Sequence, residues 1–222
     1  MPFAALVFDL DGTLVDSQAL IATTINRVVT GRGHPPADET ALHAMVGMPL
    51  EDVYLAILPA EAQDELAGCV EDHRVLFHEE MVPLIQPMPG APDAVATLSR
   101  AGWRMAVATN RLTSTACAML RTCGMAPHFA AICGVDLVER PKPYPDLLLH
   151  TLQQLGGIAP ADVLMIGDSG ADVAMALAAG AQVCAVTWGA QSRANLLELE
   201  PTWCVDTWQG LLELLQRAEP AA

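Results

Sequence analysis

Short, wholly apolar runs alternate along this chain with longer stretches whose apolar residues recur at helical spacing. The first run, Ala4-Ala5-Leu6-Val7-Phe8, has no polar interruption and reads as a strand buried on both faces. From residue 20 the period changes. Ile21, Thr24, Ile25, Val28 and Val29 fall on related faces of a helix predicted over 20–29, ending near Gly31 and Gly33. Asp38 or Thr40 can cap a short helix running through Val46, which Gly47-Met48-Pro49 breaks. Helices follow over 50–58, ended by Pro59, and over 61–81, carrying Leu66, Val70, Leu76 and Phe77. No buried strand is predicted between 17 and 83, so that stretch reads as an inserted helical bundle with polar outer faces.

Pro83, Pro87, Pro89 and Gly90 punctuate a return linker. Helices and strands then alternate. Helices are predicted over 91–101, 112–123, 145–155, 171–179, 193–199 and 208–217. Strands are predicted over 104–108, 130–133, 163–166 and 183–186 and at Cys204-Val205. Such alternation implies an α/β fold with a parallel sheet covered by helices on both faces.

Composition narrows the function. The 222 residues are 52% hydrophobic and 17% charged, enough for a sizeable core, and the net charge is −15. That charge argues against nucleic acid or an anionic membrane as the main partner. An anionic substrate must be attracted locally, by a metal or by fixed donors. None of the six cysteines forms a Cys-x-x-Cys pair, which fits reduced, mostly buried thiols. The apolar N-terminal run holds Asp9 and Asp11 and lacks a basic leader, so it does not read as an export signal; a cytoplasmic protein is expected. The apolar stretch 174–190 is broken by Gly180 and Gln182 and reads as a core helix and a strand. Of eleven basic residues only Lys142 is a lysine.

The chemistry collects at predicted strand ends. Asp9 ends the first strand, where open α/β sheets bind ligands, and Asp11 is near enough to share a site. One carboxylate can attack and the other can handle a proton. Gly12 lets the backbone turn and expose N–H groups. Thr109-Asn110-Arg111 follows another strand; its hydroxyl and turn amides can hold a phosphate oxygen, or Thr-Asn can simply cap a helix. Asp168 and Asp172 follow a third strand and can complete an oxygen shell for Mg²⁺. The prolines of Arg140-Pro141-Lys142-Pro143-Tyr144-Pro145-Asp146 stiffen the loop around the lone lysine, whose ammonium can offset repulsion between two anions that must meet.

Asp9-Leu10-Asp11-Gly12-Thr13, Thr109-Asn110, Lys142-Pro143 and Gly167-Asp168-Ser169…Asp172 resemble the four ordered motifs of the haloacid dehalogenase-like hydrolase superfamily. The resemblance spans nearly the whole chain and is greatest to phosphoglycolate phosphatase-like members. It implies a Rossmann-like core over 1–16 and 84–222 and a helical cap over 17–83, hinged near Asp16-Ser17 and Pro83 to Pro89. It also implies a Mg²⁺-dependent phosphatase working through an aspartyl-phosphate. Asp9 would be the nucleophile and Asp11 the acid and base. Gly12, Thr109, Asn110 and Lys142 would bind phosphate. Asp9, the Asp11 carbonyl and Asp168 would hold the metal, and Asp172 would join the metal's surroundings or orient the lysine. Gly47 marks a cap loop for selectivity, and Arg74 and Arg111 are candidates to meet a substrate carboxylate. Arg111 stands where these relatives commonly have lysine.

Phosphoglycolate is the first expected substrate, with a small phosphorylated metabolite as partner and a monomer or homodimer as the assembly. The same motifs also serve a β-phosphoglucomutase-like sugar phosphomutase and nucleotide or pyrophosphate phosphatases. A metal-free dehalogenase would not need Asp11.

Overall fold

The structure, a computed structural model, describes residues 3–217. The first apolar run is strand β1 (Ala5–Phe8), buried throughout. A turn leads to the two-residue strand β2 (Val15–Asp16) and to helix α1 (Gln18–Gly31), which buries Ala22, Thr24, Ile25, Val28 and Val29. Asp38 caps α2 (Glu39–Ala44) by accepting the Ala41 N–H at 2.9 Å. Gly47, at φ +94°, turns the chain into α3 (Leu50–Ile57).

The stretch 61–81 is not one helix. It divides into a 3₁₀ segment (Ala60–Glu65), α4 (Leu66–Leu76) and a π turn (Phe77–Met81). Pro83 cannot donate the next α-helical hydrogen bond, and the turn before it widens so that the Val82 N–H reaches the Phe77 carbonyl.

The two crossings between helical insertion and sheet also differ from the simple linkers expected. β3 (Gln86–Pro87) pairs antiparallel with β2, Val15 opposite Pro87 and Asp16 opposite Gln86. A two-residue ribbon carries no period-2 signal, and proline speaks against a strand, so sequence pattern could not find it.

The remainder alternates as predicted: α5 (Ala91–Arg100), β4 (Met105–Ala108), α6 (Thr113–Thr122), β5 (Ala131–Cys133), α7 (Asp146–Gln154), β6 (Val163–Gly167), α8 (Gly170–Ala179), β7 (Gln182–Val186), α9 (Arg193–Leu197), β8 (Trp203–Val205) and α10 (Trp208–Gln216). The six long-range strands form one parallel sheet in the order β5-β4-β1-β6-β7-β8. Period-2 alternation splits its side chains between two cores. Leu6, Phe8, Val107 and Ile166 point to one face, and Ala5, Val7, Ala106 and Met165 to the other. Chain order reverses at β1, flanked by β4 and β6, so the crevice at the carboxyl end of β1 is the topological switch point. A third cluster, from Ala22 to Val70, lies wholly within the helical insertion. No described helix is long and apolar enough to cross a membrane.

His73 sits in that insertion, buried between Tyr54, whose hydroxyl lies 3.1 Å from Nδ1, and the Phe77 ring stacked on it. Burial, with Arg111 and Arg74 nearby, lowers its pKa from 6.5 to about 3. Below pH 6.5 the unfolded chain therefore takes up a proton that the folded chain refuses. His73 by itself therefore subtracts stability as pH drops from 6.5 towards about 5, by up to roughly 1.4 kcal/mol per pH unit, against the opposite contribution of the buried Asp9 and Asp168 carboxyl groups. Urea unfolding across that window checks this. Relative to the wild type, His73→Asn should gain stability as pH falls across that window, and an identical pH dependence in the two proteins would refute the assignment.

Candidate active site

The site is built on three strand ends. Asp9 follows β1, and its N–H donates to the Ile166 carbonyl of β6 at 2.8 Å, which locks it into the sheet. Asp168 follows β6. Thr109 follows β4, is buried, and accepts the Arg111 N–H at 3.2 Å. Lys142 enters from the proline-bracketed loop before α7.

The Lys142 ammonium donates to Asp9 Oδ1 and to Asp172 Oδ1, both at 2.6 Å. Its side chain is 2% exposed. Burial opposes its charge, but Asp172 and Asp9 outweigh burial and hold its pKa above the ordinary lysine value. Asp172 is fixed in turn by a capping box at the start of α8. The Ser169 N–H and hydroxyl donate to its Oδ2 at 3.1 and 2.6 Å. Ser169 thus caps the helix, and its partner Asp172 orients the lysine.

Asp168 accepts the Thr13 hydroxyl at 2.8 Å and the Ala190 N–H at 2.6 Å. Gly12, at φ +77°, packs so closely on this carboxylate that a Cβ would collide with it. Burial, then Asp172, pushes the Asp168 pKa up to about 7, with the Ala190 amide and Thr13 hydroxyl opposing. Burial likewise raises Asp9 well above the usual carboxylate range; Asp172 adds to this and Lys142 only partly offsets it.

Asp9, Asp168 and Asp172 each offer an oxygen within 4.8 Å of the others. Three buried carboxyl groups thus converge beside one ammonium, which touches two of them. An all-oxygen donor set short of positive charge fits a hard divalent cation such as Mg²⁺.

Asp11 is close by but turned differently. Its carboxylate is outside that cluster; it accepts Nε and Nη2 of Arg111 at 2.9 and 3.0 Å, and the Ser17 hydroxyl. The Arg111 guanidinium lies 3.8 Å from the centre of the Phe77 ring. Asn110 links three segments. Its Oδ1 accepts the Lys142 N–H at 3.0 Å, and its Nδ2 donates to the Gly47 carbonyl at 3.1 Å. The Gly47 loop therefore rests on the sheet, beside Ser169. Arg74 lines the same pocket and pairs with Glu51 at 2.8 Å.

Residues 6–186 match the sequence model of the haloacid dehalogenase-like hydrolases. The chain belongs to that family. It is 34% identical over 206 residues to "Probable phosphatase IndB" of Dickeya dadantii, spanning 91% of this chain and 89% of the relative. It is 32% identical to a phosphoglycolate phosphatase of Mesorhizobium japonicum, covering 98% and 97% of the two chains. A solved haloacid dehalogenase-like family hydrolase from Streptococcus pneumoniae superposes with a TM-score of 0.87 at 28% identity, over 96% of this chain and 98% of that one.

In this haloacid dehalogenase-like hydrolase, sequence reading did not single out Ser17, Ser169 or Ala190 as polar partners of the site. In the sequence Ser17 stands out only as a hinge position and Ser169 only as a helix cap beside Asp168, and neither placement points to the carboxylate its hydroxyl meets. The Ala190 contribution is a backbone N–H, which no side-chain pattern reveals.

Cation binding should stabilise this hydrolase, because the three carboxyl groups converge only in the folded chain. Thermal unfolding in millimolar Mg²⁺ should shift upward relative to EDTA, by about 2.7 kcal/mol at a hundredfold excess over Kd. Asp168→Asn should lose most of that shift. An equal shift in the variant would place the cation elsewhere.

Proposed function

We propose that the protein is a Mg²⁺-dependent phosphatase that hydrolyses small organic phosphomonoesters through a phosphorylated Asp9. The observation that carries this reading is Lys142. Its buried ammonium touches Asp9 at the switch point of the sheet, beside Asp168, where a dianionic phosphoryl group and a carboxylate nucleophile must meet.

The steps follow from the residues. The Asp9 carboxylate attacks phosphorus, the bond to the leaving alcohol oxygen breaks, and Asp11, protonated and turned from Arg111 towards the substrate, gives that oxygen a proton. Asp11 then takes a proton from water. The water oxygen attacks phosphorus, the bond to Asp9 breaks, and inorganic phosphate leaves. Lys142 neutralises charge on Asp9 and on the phosphoryl oxygens, and Asp172 orients Lys142. Thr109 would bind the same oxygens; the Gly12 N–H, expected from the sequence to do so too, is instead donated to the Val15 carbonyl at 2.9 Å. Before substrate enters, Arg111 and Ser17 hold the Asp11 carboxylate. Asp9 and Asp168, with the Asp11 carbonyl, would hold Mg²⁺, which supplies Lewis-acid charge stabilisation at the phosphoryl group.

Residues 17–83 act as a cap in this reading. The short β2–β3 ribbon joins cap and core, and the Gly47 loop closes over the site to exclude water. The name of the Mesorhizobium relative puts phosphoglycolate first among candidate substrates; the pocket wall bears on that choice below.

Phosphate release should require Mg²⁺ and vanish with EDTA. Asp9→Asn should lower kcat by at least roughly a thousandfold while the circular dichroism spectrum stays native. Undiminished turnover in that variant would end the mechanism.

A further inference from the structure

The pocket over Asp9 does not stop at the sheet. It runs up into the helical insertion, where Ile21, Ile25, Leu42, Met45 and Val53 line it, with Phe77 at its side. Ile25, Leu42 and Val53 belong to the core cluster of that insertion, so the cavity opens directly onto hydrocarbon. Asp9, Thr109 and Lys142 line the same pocket from the sheet, and His73, Arg74 and Arg111 are also on its wall.

The cations lining this pocket already have partners. Lys142 holds Asp9 and Asp172, Arg111 holds Asp11 through two hydrogen bonds, and Arg74 holds Glu51. His73, also on the wall, is held neutral by burial. A second negative group on the substrate would have to break one of these pairs or share its cation with a protein carboxylate, inside a site already rich in buried carboxylates. A hydrocarbon group would break none and would gain from leaving water.

We infer that the alcohol part of the substrate is an aromatic or branched hydrocarbon group, seated against Ile21, Ile25, Leu42, Met45 and Val53. This rests on the phosphatase reading and departs from phosphoglycolate, whose second group is a carboxylate. The reaction is ester plus water giving the apolar alcohol and inorganic phosphate. The division of labour is simple: the sheet end binds what every such ester shares, and the helices select the remainder.

The test compares kcat/KM for benzyl phosphate, ethyl phosphate and phosphoglycolate, all in Mg²⁺. Benzyl and ethyl alcohols are similar leaving groups, so a difference between them reports binding of the ring. Benzyl phosphate should exceed both others by at least roughly tenfold, the scale on which an apolar pocket discriminates. Met45→Arg, which places a cation on the half-buried wall, should narrow or invert the ratio of benzyl phosphate to phosphoglycolate. The wild-type comparison stands even if that variant does not fold. Release with phosphoglycolate equal to or above benzyl phosphate overturns the inference and leaves the phosphatase intact. No release from any of the esters overturns the phosphatase reading and the inference with it.

Discussion

One buried ammonium faces three buried carboxyl groups at the carboxyl end of the central strand. Lys142 is nearly inaccessible, and so are Asp9, Asp168 and Asp172. Taking such charges out of water is costly, and the two short contacts to Lys142 compensate only Asp9 and Asp172. The site is therefore held together by charges it cannot balance alone. The structure around it reads as the means of keeping those groups in place. Pairing of β1 with β6 sets Asp9 beside Asp168. The capping box of α8 aims Asp172, and Asn110 anchors the backbone of Lys142. Glycines at 12 and 189 leave room that a Cβ would take from Asp168.

A site with unmet negative charge is also one that discriminates. It accepts a cation readily and a further free carboxylate poorly. The helical insertion complements this with an apolar wall rather than with charge. Asn110 couples the two halves: one side-chain amide binds both the lysine loop and the Gly47 loop. Arg111 makes a second link, joining Asp11 of the sheet to Phe77 at the π turn of the insertion. The position of the helices and the orientation of the polar groups are thus mechanically connected.

Much of this was legible in the sequence. Unbroken apolar runs located the strands, because strands covered on both faces need no polar alternation. The polar residues right after those runs located the site, because strand ends at the switch point are where such sheets open. The lone lysine stood out by count. Other features left no trace. The π turn arises from Pro83 acting on the turn before it, which a periodicity test reads as more helix. The β2–β3 ribbon is too short to show a period. The partners of Asp11, Arg111 and Arg74 depend on contacts distant in the chain, and so both arginines, which looked free to meet a substrate carboxylate, are paired with acidic residues instead. The apolar cavity is another such case: its residues read only as helical core until the helices are placed over the sheet.

In the proposed reaction a carboxylate oxygen of Asp9 takes the phosphoryl group. Quenching the enzyme during turnover of a saturating ester, reducing it with borohydride and mapping the peptides tests this directly. An acyl phosphate at Asp9 is converted to the alcohol, so residue 9 should be recovered as homoserine, and only when substrate and Mg²⁺ were both present. Turnover with residue 9 unmodified, or with the label on another carboxylate, would contradict the account.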